Sequence, residues 1–476
     1  MTLLEARPGS GIAAALAARA AGSQVTAVTV AAPVLDPVAL AGAASDRGLE
    51  VAAWLRPGDG LAIVGVGRAW AVEPTGADRF TDAEAAWRRV APDLADACGS
   101  AGPHRTAAGP VLLGGLGFGP ERSGTPGPWS TFPAASLVLP ELTYTRRDDE
   151  AWLTVAVAAD AASTRPGALD TLWDGLASAG AVVRSSGSIP TRPPLGGARS
   201  TPDRAGWERL VGLMAGAVGR GRLDKVVLAR RADLELVSPV DVAPVLGALA
   251  AGTPEGAAFL FTRGGRAFLG ATPERLVRVE GRAFRTVAIA GSTRRGRDAA
   301  EDARLAAALV ASDKDREEHA VVVEMLRTEL APVAAELRVG AQPGVLALRD
   351  LQHLVTPVEG VLRERAGILS LAARLHPTPA VGGAPTDAAL AMLAEHEGFD
   401  RGWYAGPVGW VGPDGDGELM VALRSGVVDG SRVSLFAGCG IVADSDGARE
   451  WAESRMKLRP MLAALGLDPD DLEAVP

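Results

Sequence analysis

The chain has 476 residues, 47% of them hydrophobic, and a formal net charge of −9. That length suggests two or three domains with an ample core, and the acidic balance excludes a nucleic-acid partner, which would need a basic surface. The two cysteines, Cys98 and Cys439, are far apart and form no CxxC pair, so a disulfide framework and a zinc site are both unexpected and a reducing cytoplasm is the natural compartment.

In chain order, the Ala-rich stretch Gly11–Gly22 is interrupted by Arg19 and lacks the basic lead and Leu/Val core of a signal peptide. No run of about 18 strongly apolar residues suggests a membrane span. The first 200 residues read as short strands between Gly/Pro turns, with candidates at Leu61–Gly67, Val111–Gly119 and Trp152–Ala159. The Ser/Pro/Arg/Gly-rich segment Arg184–Thr201 reads as a surface connection. It separates residues 1–200 from a motif-bearing region, 201–470. A helix is predicted over Pro202–Val218, then a strand in which a period of two puts Lys225, Val227 and Ala229 on one face. Further strands are predicted at Ala257–Thr262, Arg266–Gly270, Leu419–Val427 and Val433–Ala437, and helices at Asp313–Leu330 and Ser445–Leu458. Strands and helices fall in blocks without βαβ alternation, which favours an α+β fold.

Of 48 basic residues only three are lysines, Lys225, Lys314 and Lys457. Arginine is permanently protonated, whereas a desolvated lysine can lose its proton and act as a base. The three are therefore candidates for work that arginine cannot do. On the helix Asp313–Leu330, Lys314, Glu318, Val322 and Met325 share one face. A carboxylate on an apolar stripe needs compensation, either from a bound cation or from an i,i+4 pair with Lys314. The last helix, with Ser445 as a candidate cap, carries Glu450, Glu453 and Lys457 on one face. Two carboxylates from separate helices, with no His or Cys cluster, describe a hard-cation site that fits Mg²⁺. The alternative is a solvated charged face. Ala437-Gly438-Cys439-Gly440-Ile441 is a candidate anion nest of backbone N–H groups. Gly65-Val66-Gly67 reaches Trp70 where GxGxxG needs its third glycine, so a nicotinamide-binding reading lacks support.

These pieces stand in an order that resembles the chorismate-utilising enzymes, which include isochorismate, salicylate, anthranilate and aminodeoxychorismate synthases. The resemblance spans about residues 224–465 and rests on LDKVVLARR (223–231), FLGATPERL (268–276), AIAGSTRRG (288–296), SDKDREEH (312–319), LQHLVTP (351–357), RGWYAGPVGW (401–410) and LFAGCGIVADSDGAREWAESRMKL (435–458). All three lysines fall inside these blocks. Before residue 200 the most family-like piece is residues 115–142.

The resemblance implies a single large α+β unit of orthogonally packed, mainly antiparallel sheets covered by helices. It implies Lys225 as general base and Glu274 as general acid, with Mg²⁺ held by Glu318 and Glu453 and supported through water by Asp315 and Glu450. Tyr404, Arg424, Gly438 and Lys457 match substrate-carboxylate contacts, His353 a residue lining the ring pocket, and Ala288 and Gly291 supporting positions. Leu375-His376-Pro377-Thr378-Pro379-Ala380-Val381-Gly382-Gly383 looks like the isochorismate synthase version of a segment that reads Phe-Pro-Ala-x-Thr-x-Ser-Gly elsewhere in the family. Ala288 points the same way, while Val287 and Ser292 depart from many isochorismate synthases. The implied activity is reversible, Mg²⁺-dependent conversion of chorismate to isochorismate, feeding menaquinone or siderophore synthesis. Salicylate synthase and a non-catalytic chorismate binder are the rivals. No glutamine amidotransferase subunit is expected, and a monomer is the default. His376 and His396 read as structural, and His104 as part of an exposed Gly/Pro loop.

Overall fold

The structure, a computed structural model, describes residues 10–20, 22–91, 93–94, 107–121, 127–181, 193–349 and 351–472. Cys98, His104 and residues 184–192 of the expected connection lie outside the described residues. Two large sheets organise the chain, one of 12 strands and one of 10, and every strand pairing described is antiparallel.

Strands from the first 200 residues are hydrogen-bonded to later strands in both sheets. Val51–Arg56 pairs with Ala257–Arg263 in the larger sheet, and Leu112–Leu116 pairs with Pro407–Val411 in the smaller. The larger sheet is covered on both faces, which explains why its strands read as unbroken apolar runs. Leu61 and Ile63 join a core shared with the smaller sheet, while Ala62 and Val64 face the other way into a second core. That second core is closed by five helices: Ser10–Arg19, Pro37–Asp46, Pro166–Gly180, Val242–Ala251 and the C-terminal part of Gly447–Ala464. Among the described residues no helix is long and apolar enough to cross a membrane.

Four expectations change. Among the described residues, the first 200 hold four helices, the three just named there and Arg79–Val90, as well as strands. In helices such as PVALAGAASD the small residues blur the apolar–polar contrast on which a 3.6-residue period depends. The end of the expected surface connection is a strand, Leu195–Thr201, paired with Lys225–Leu236. The predicted strand Leu419–Val427 is two strands, Gly417–Val421 in the smaller sheet and Ser425–Asp429 in the larger, and the chain crosses between them at Arg424. The last helix is capped by Asp446, which accepts from the Arg449 N–H, and not by Ser445, whose hydroxyl donates to Glu450.

Candidate active site

Lys225 opens the strand Lys225–Leu236, which pairs with Arg432–Ile441 so that Val227 faces Gly440 and Ala229 faces Gly438. The expected anion nest is therefore a stretch of extended strand. Its glycines matter for a different reason: they leave room. A Cβ on Gly440 would lie 2.6 Å from Lys225 Cε and 2.9 Å from Glu318 Oε1, and one on Gly438 would lie 3.2 Å from the Tyr404 hydroxyl. Through this gap Lys225 Nζ donates to Glu318 Oε1 at 2.6 Å, although Lys225 is only 2% exposed. Glu318 sits on the helix Asp313–Leu330, whose first turn is capped by the Ser312 hydroxyl. The i,i+4 partner considered for it, Lys314, turns instead to Asp444 at 3.7 Å.

Glu274 follows the strand Arg266–Thr272 and is pinned through its backbone. Its N–H donates to Thr272 Oγ1 at 3.3 Å and its carbonyl accepts from Val421 N at 2.9 Å. Burial pushes its carboxyl up to about 7, against the opposing charges of Lys225, Arg424 and Lys457. A carboxyl in that range holds its proton over much of the neutral region, as a general acid must. For Glu318 burial acts upward too, but the charge and hydrogen bond of Lys225, with help from Lys457 and Lys314, outweigh it and hold the group below the usual carboxylate range.

On the last helix, Lys457 Nζ bridges the Glu453 carboxylate at 2.6 Å and the Gly438 carbonyl at 2.9 Å. Glu450, 6% exposed, accepts from Ser445 and is pushed up to about 7 by burial and then by Glu453. This face is partly buried, with Glu450 covered and the Glu453 side chain 28% exposed, so it is not a fully solvated charged face. Cys439, Glu450 and Glu453 offer donor atoms within 4.8 Å of one another. The thiol, however, donates to the Glu450 carbonyl at 3.3 Å, and burial raises it well above its ordinary value. A neutral, soft sulfur is a poor ligand for a hard cation, which leaves the carboxylates as the credible donors. Glu318 stands outside that trio, its carboxylate held by Lys225.

Arg424 has φ 47° and Ala405 φ 62°, left-handed values for side chains that both line the site. At Arg424 this turn carries the chain from one sheet to the other and sets the guanidinium on the cavity wall. The Tyr404 ring stacks on Phe436 with centroids 5.3 Å apart, and burial raises its hydroxyl to about 12. Together these groups line a polar cavity of about 300 Å³. It is large enough for a small carbocyclic acid.

A family model described as "Chorismate binding enzyme" matches residues 12–466. The chain belongs to that chorismate-binding enzyme family. It is 39% identical over 452 residues to a salicylate biosynthesis isochorismate synthase of Pseudomonas aeruginosa, covering 92% of this chain and 90% of that protein. It is 32% identical to isochorismate synthase MenF of Bacillus subtilis, covering 87% of each. Among solved structures it superposes on MenF, the menaquinone-specific isochorismate synthase from Escherichia coli, with a TM-score of 0.75 at 28% identity, covering 93% of this chain and 94% of that one.

In this family member the cavity gathers Lys225, Glu274, Gly291, Asp315, Glu318, His353, Tyr404, Arg424, Gly438, Glu450, Glu453 and Lys457. Ala288, expected to support the site, does not line it. It is fully buried in the core between the sheets, opposite Thr356. His376 is also not part of the cavity lining, with Nε2 on the Phe118 carbonyl at 3.1 Å. His396 lies beside Glu395 at 3.7 Å. Sequence reasoning missed Arg401, which grips Glu397 through two 2.6 Å contacts and donates to the Val227 and Val381 carbonyls. It ties the segment Leu375–Gly383, whose Ala380 and Val381 line the cavity, to the strand of Lys225. Its signal was the opening arginine of RGWYAGPVGW. Ser292 was read only as a departure from the family, yet its hydroxyl contacts His353.

Proposed function

We propose that this chain is an isochorismate synthase that converts chorismate reversibly to isochorismate with Mg²⁺. The observation that carries the reading is the presence, in one cavity, of a buried lysine and a carboxyl shifted to about 7, Lys225 and Glu274. A module that only bound chorismate would have no use for an acid–base pair.

In the proposed reaction Lys225, which must first give up the proton it holds against Glu318, takes a proton from water as its oxygen bonds to ring C2. The double bonds shift, the C4–O bond breaks, and Glu274 gives its proton to the departing oxygen, which leaves as water. Atoms balance: one water enters and one leaves. Arg424 and Lys457, with the Tyr404 hydroxyl and the backbone of Gly438, bind the two substrate carboxylates. Glu318 and Glu453, with Asp315 and Glu450 in support, fit a hard divalent cation by their oxygen donors. When bound, Mg²⁺ would neutralise these carboxylates and the ring carboxylate of the substrate.

We further place the activity in the cytoplasm, in a monomer acting without a glutamine amidotransferase, with residues 1–200 and 201–470 as parts of one body. Purified protein with chorismate and Mg²⁺, analysed by chromatography, should give an equilibrium mixture of chorismate and isochorismate without added ammonia. Mainly salicylate, or anthranilate only with ammonia, would overturn the assignment.

A further inference from the structure

The strand Lys225–Leu236 is flanked on one edge, along nearly its whole length, by Arg432–Ile441. On the other edge Ala384 and Gly383 pair with Lys225 and Val226, and Leu195–Thr201 begins only at Arg231. Between these two neighbours, residues 227–230 have no strand partner on that edge among the described residues. The gap arises because the chain leaves the sheet. Continued in register, Val381 and Ala380 would stand opposite Leu228 and Ala229. The chain turns off instead, and both residues line the cavity. Gly383 makes the exit possible: its φ is 132°, and a Cβ there would lie 2.4 Å from the Lys225 carbonyl.

A strand that loses its neighbour leaves buried N–H and C=O groups that must find other partners. The Val227 N–H still reaches the Gly382 carbonyl at 3.0 Å. Beyond that point an ion pair takes over. The Val227 carbonyl accepts from Arg401 Nη2 at 2.6 Å, and the Ala229 N–H donates to Glu397 Oε1 at 2.7 Å. Arg401 Nη1 donates to the Val381 carbonyl of the departing segment at 2.8 Å. The guanidinium holds both oxygens of Glu397, and the two residues are only 4% and 6% exposed. Local preference does not place Glu397 here, since it ends the helix Thr386–His396, where the helix dipole disfavours a carboxylate. Stability alone does not require the pair either, because apolar side chains of similar volume often replace a buried ion pair at little cost.

We propose that Arg401 and Glu397 are positioning residues: the pair stands in for the missing strand and holds the strand of Lys225 and the wall Ala380–Val381 at a fixed spacing. Lys225 lies two residues before Val227 on the same face, so a shift of this strand moves its amine relative to the ring. A shift of Ala380 and Val381 changes how the ring is held. The consequence for catalysis rests on the isochorismate synthase reading, whereas the bridging of the two segments does not.

The double variant Arg401→Met/Glu397→Leu removes both charges together, so neither is left buried alone. Hydrogen exchange read by mass spectrometry should be faster than in the wild type over residues 225–231 and 378–384 at once, and unchanged in the helix Arg79–Val90. Unchanged exchange in either of the two segments would overturn the proposal. Glu397→Gln keeps an acceptor for the Ala229 N–H but loosens the grip on Arg401. It should show faster exchange over residues 378–384 alone, and it decides the matter in the same way if the double variant does not fold. With chorismate and Mg²⁺ the double variant should lose about 10- to 10²-fold in kcat and raise KM. In a Lys225→Arg background the same double change should add little to the kcat loss, because the base it positions is already gone, while KM still rises. A full additional kcat loss there, or near-normal kcat in the double variant alone, would contradict the proposal. If the wild type made no isochorismate, the functional reading would fall while the exchange result still decided whether the pair holds the two segments together.

Discussion

Lys225 Nζ and Glu318 Oε1 lie 2.6 Å apart, joining the first residue of a strand to a helix residue 93 positions further along the chain. The absence of a Cβ at Gly440 is what lets them meet. Gly440→Ala should therefore displace the flexible end of Lys225 and not the backbone, lowering kcat at least about 10-fold with a near-normal melting curve. Gly438→Ala crowds the Tyr404 hydroxyl instead and should act mainly on KM. Steady-state kinetics on both variants would show the split. Equal effects on the two constants in both variants would refute this division.

A second expectation concerns the chemistry of Lys225 itself. Guanidinium cannot give up its proton near neutral pH, so Lys225→Arg should fold and still bind chorismate but lose at least about 10²-fold in kcat, the low end of general-base contributions. Lys457→Arg, whose cation contacts Glu453 and the Gly438 carbonyl, should chiefly raise KM. Near-normal kcat in a well-folded Lys225→Arg protein would remove Lys225 as the base.

Glu274 links catalysis to pH. Its carboxyl rises from 4.5 to about 7 on burial, so activity should decline as pH rises through about 7 and the acid loses its proton. The same shift bears on stability. The folded state holds the proton more tightly, so the contribution is fully present below the unfolded value near 4.5 and is lost as pH rises through 7. Glu274→Gln, permanently neutral, should be nearly inactive. It should melt like the wild type at pH 4 and more stably at pH 8, by up to about 3 kcal/mol. Equal stability differences at the two pH values would show that Glu274 is not held in this way. Glu450, also raised to about 7, should leave a residual pH slope in the variant.

The carboxylates predict a metal dependence. Glu318→Gln and Glu453→Gln should each shift the Mg²⁺ requirement for turnover upward severely while leaving the melting curve intact, as followed by Mg²⁺ titration of the initial rate. Normal turnover at low Mg²⁺ in either variant would reduce that carboxylate to an ion-pair partner of its lysine.

The charged residues of this site were largely legible in the sequence, because chemistry limits which side chains can do the work. A lysine kept where arginine prevails, and carboxylates at helical spacing, were visible without coordinates. The glycines of Gly438-Cys439-Gly440 were also visible, but their purpose was not. A nest and a side-chain gap need the same residues, and only the register against Lys225–Leu236 distinguishes them. The crossing at Arg424 was not read as a break, since Ala422 and Leu423 continue the apolar run and Arg424 is neither glycine nor proline. Of the helices described before residue 200, Ser10–Arg19 and Pro37–Asp46 were obscured by alanine and glycine, which give a buried helix little periodic contrast, whereas Arg79–Val90 and Pro166–Gly180 do carry apolar residues at helical spacing. That Ser292 meets His353 depends on a bulge in a strand pair whose partners lie 61 positions apart, and no local pattern carries such information.

The central claim, that this cavity adds water to one ring carbon of chorismate and expels a hydroxyl from another, is tested most directly in ¹⁸O-labelled water. Purified protein, chorismate and Mg²⁺ are incubated in the label, and the product is analysed by mass spectrometry. The account predicts isochorismate carrying one ¹⁸O at its new hydroxyl. Isochorismate without the label, or no isochorismate at all, would contradict it.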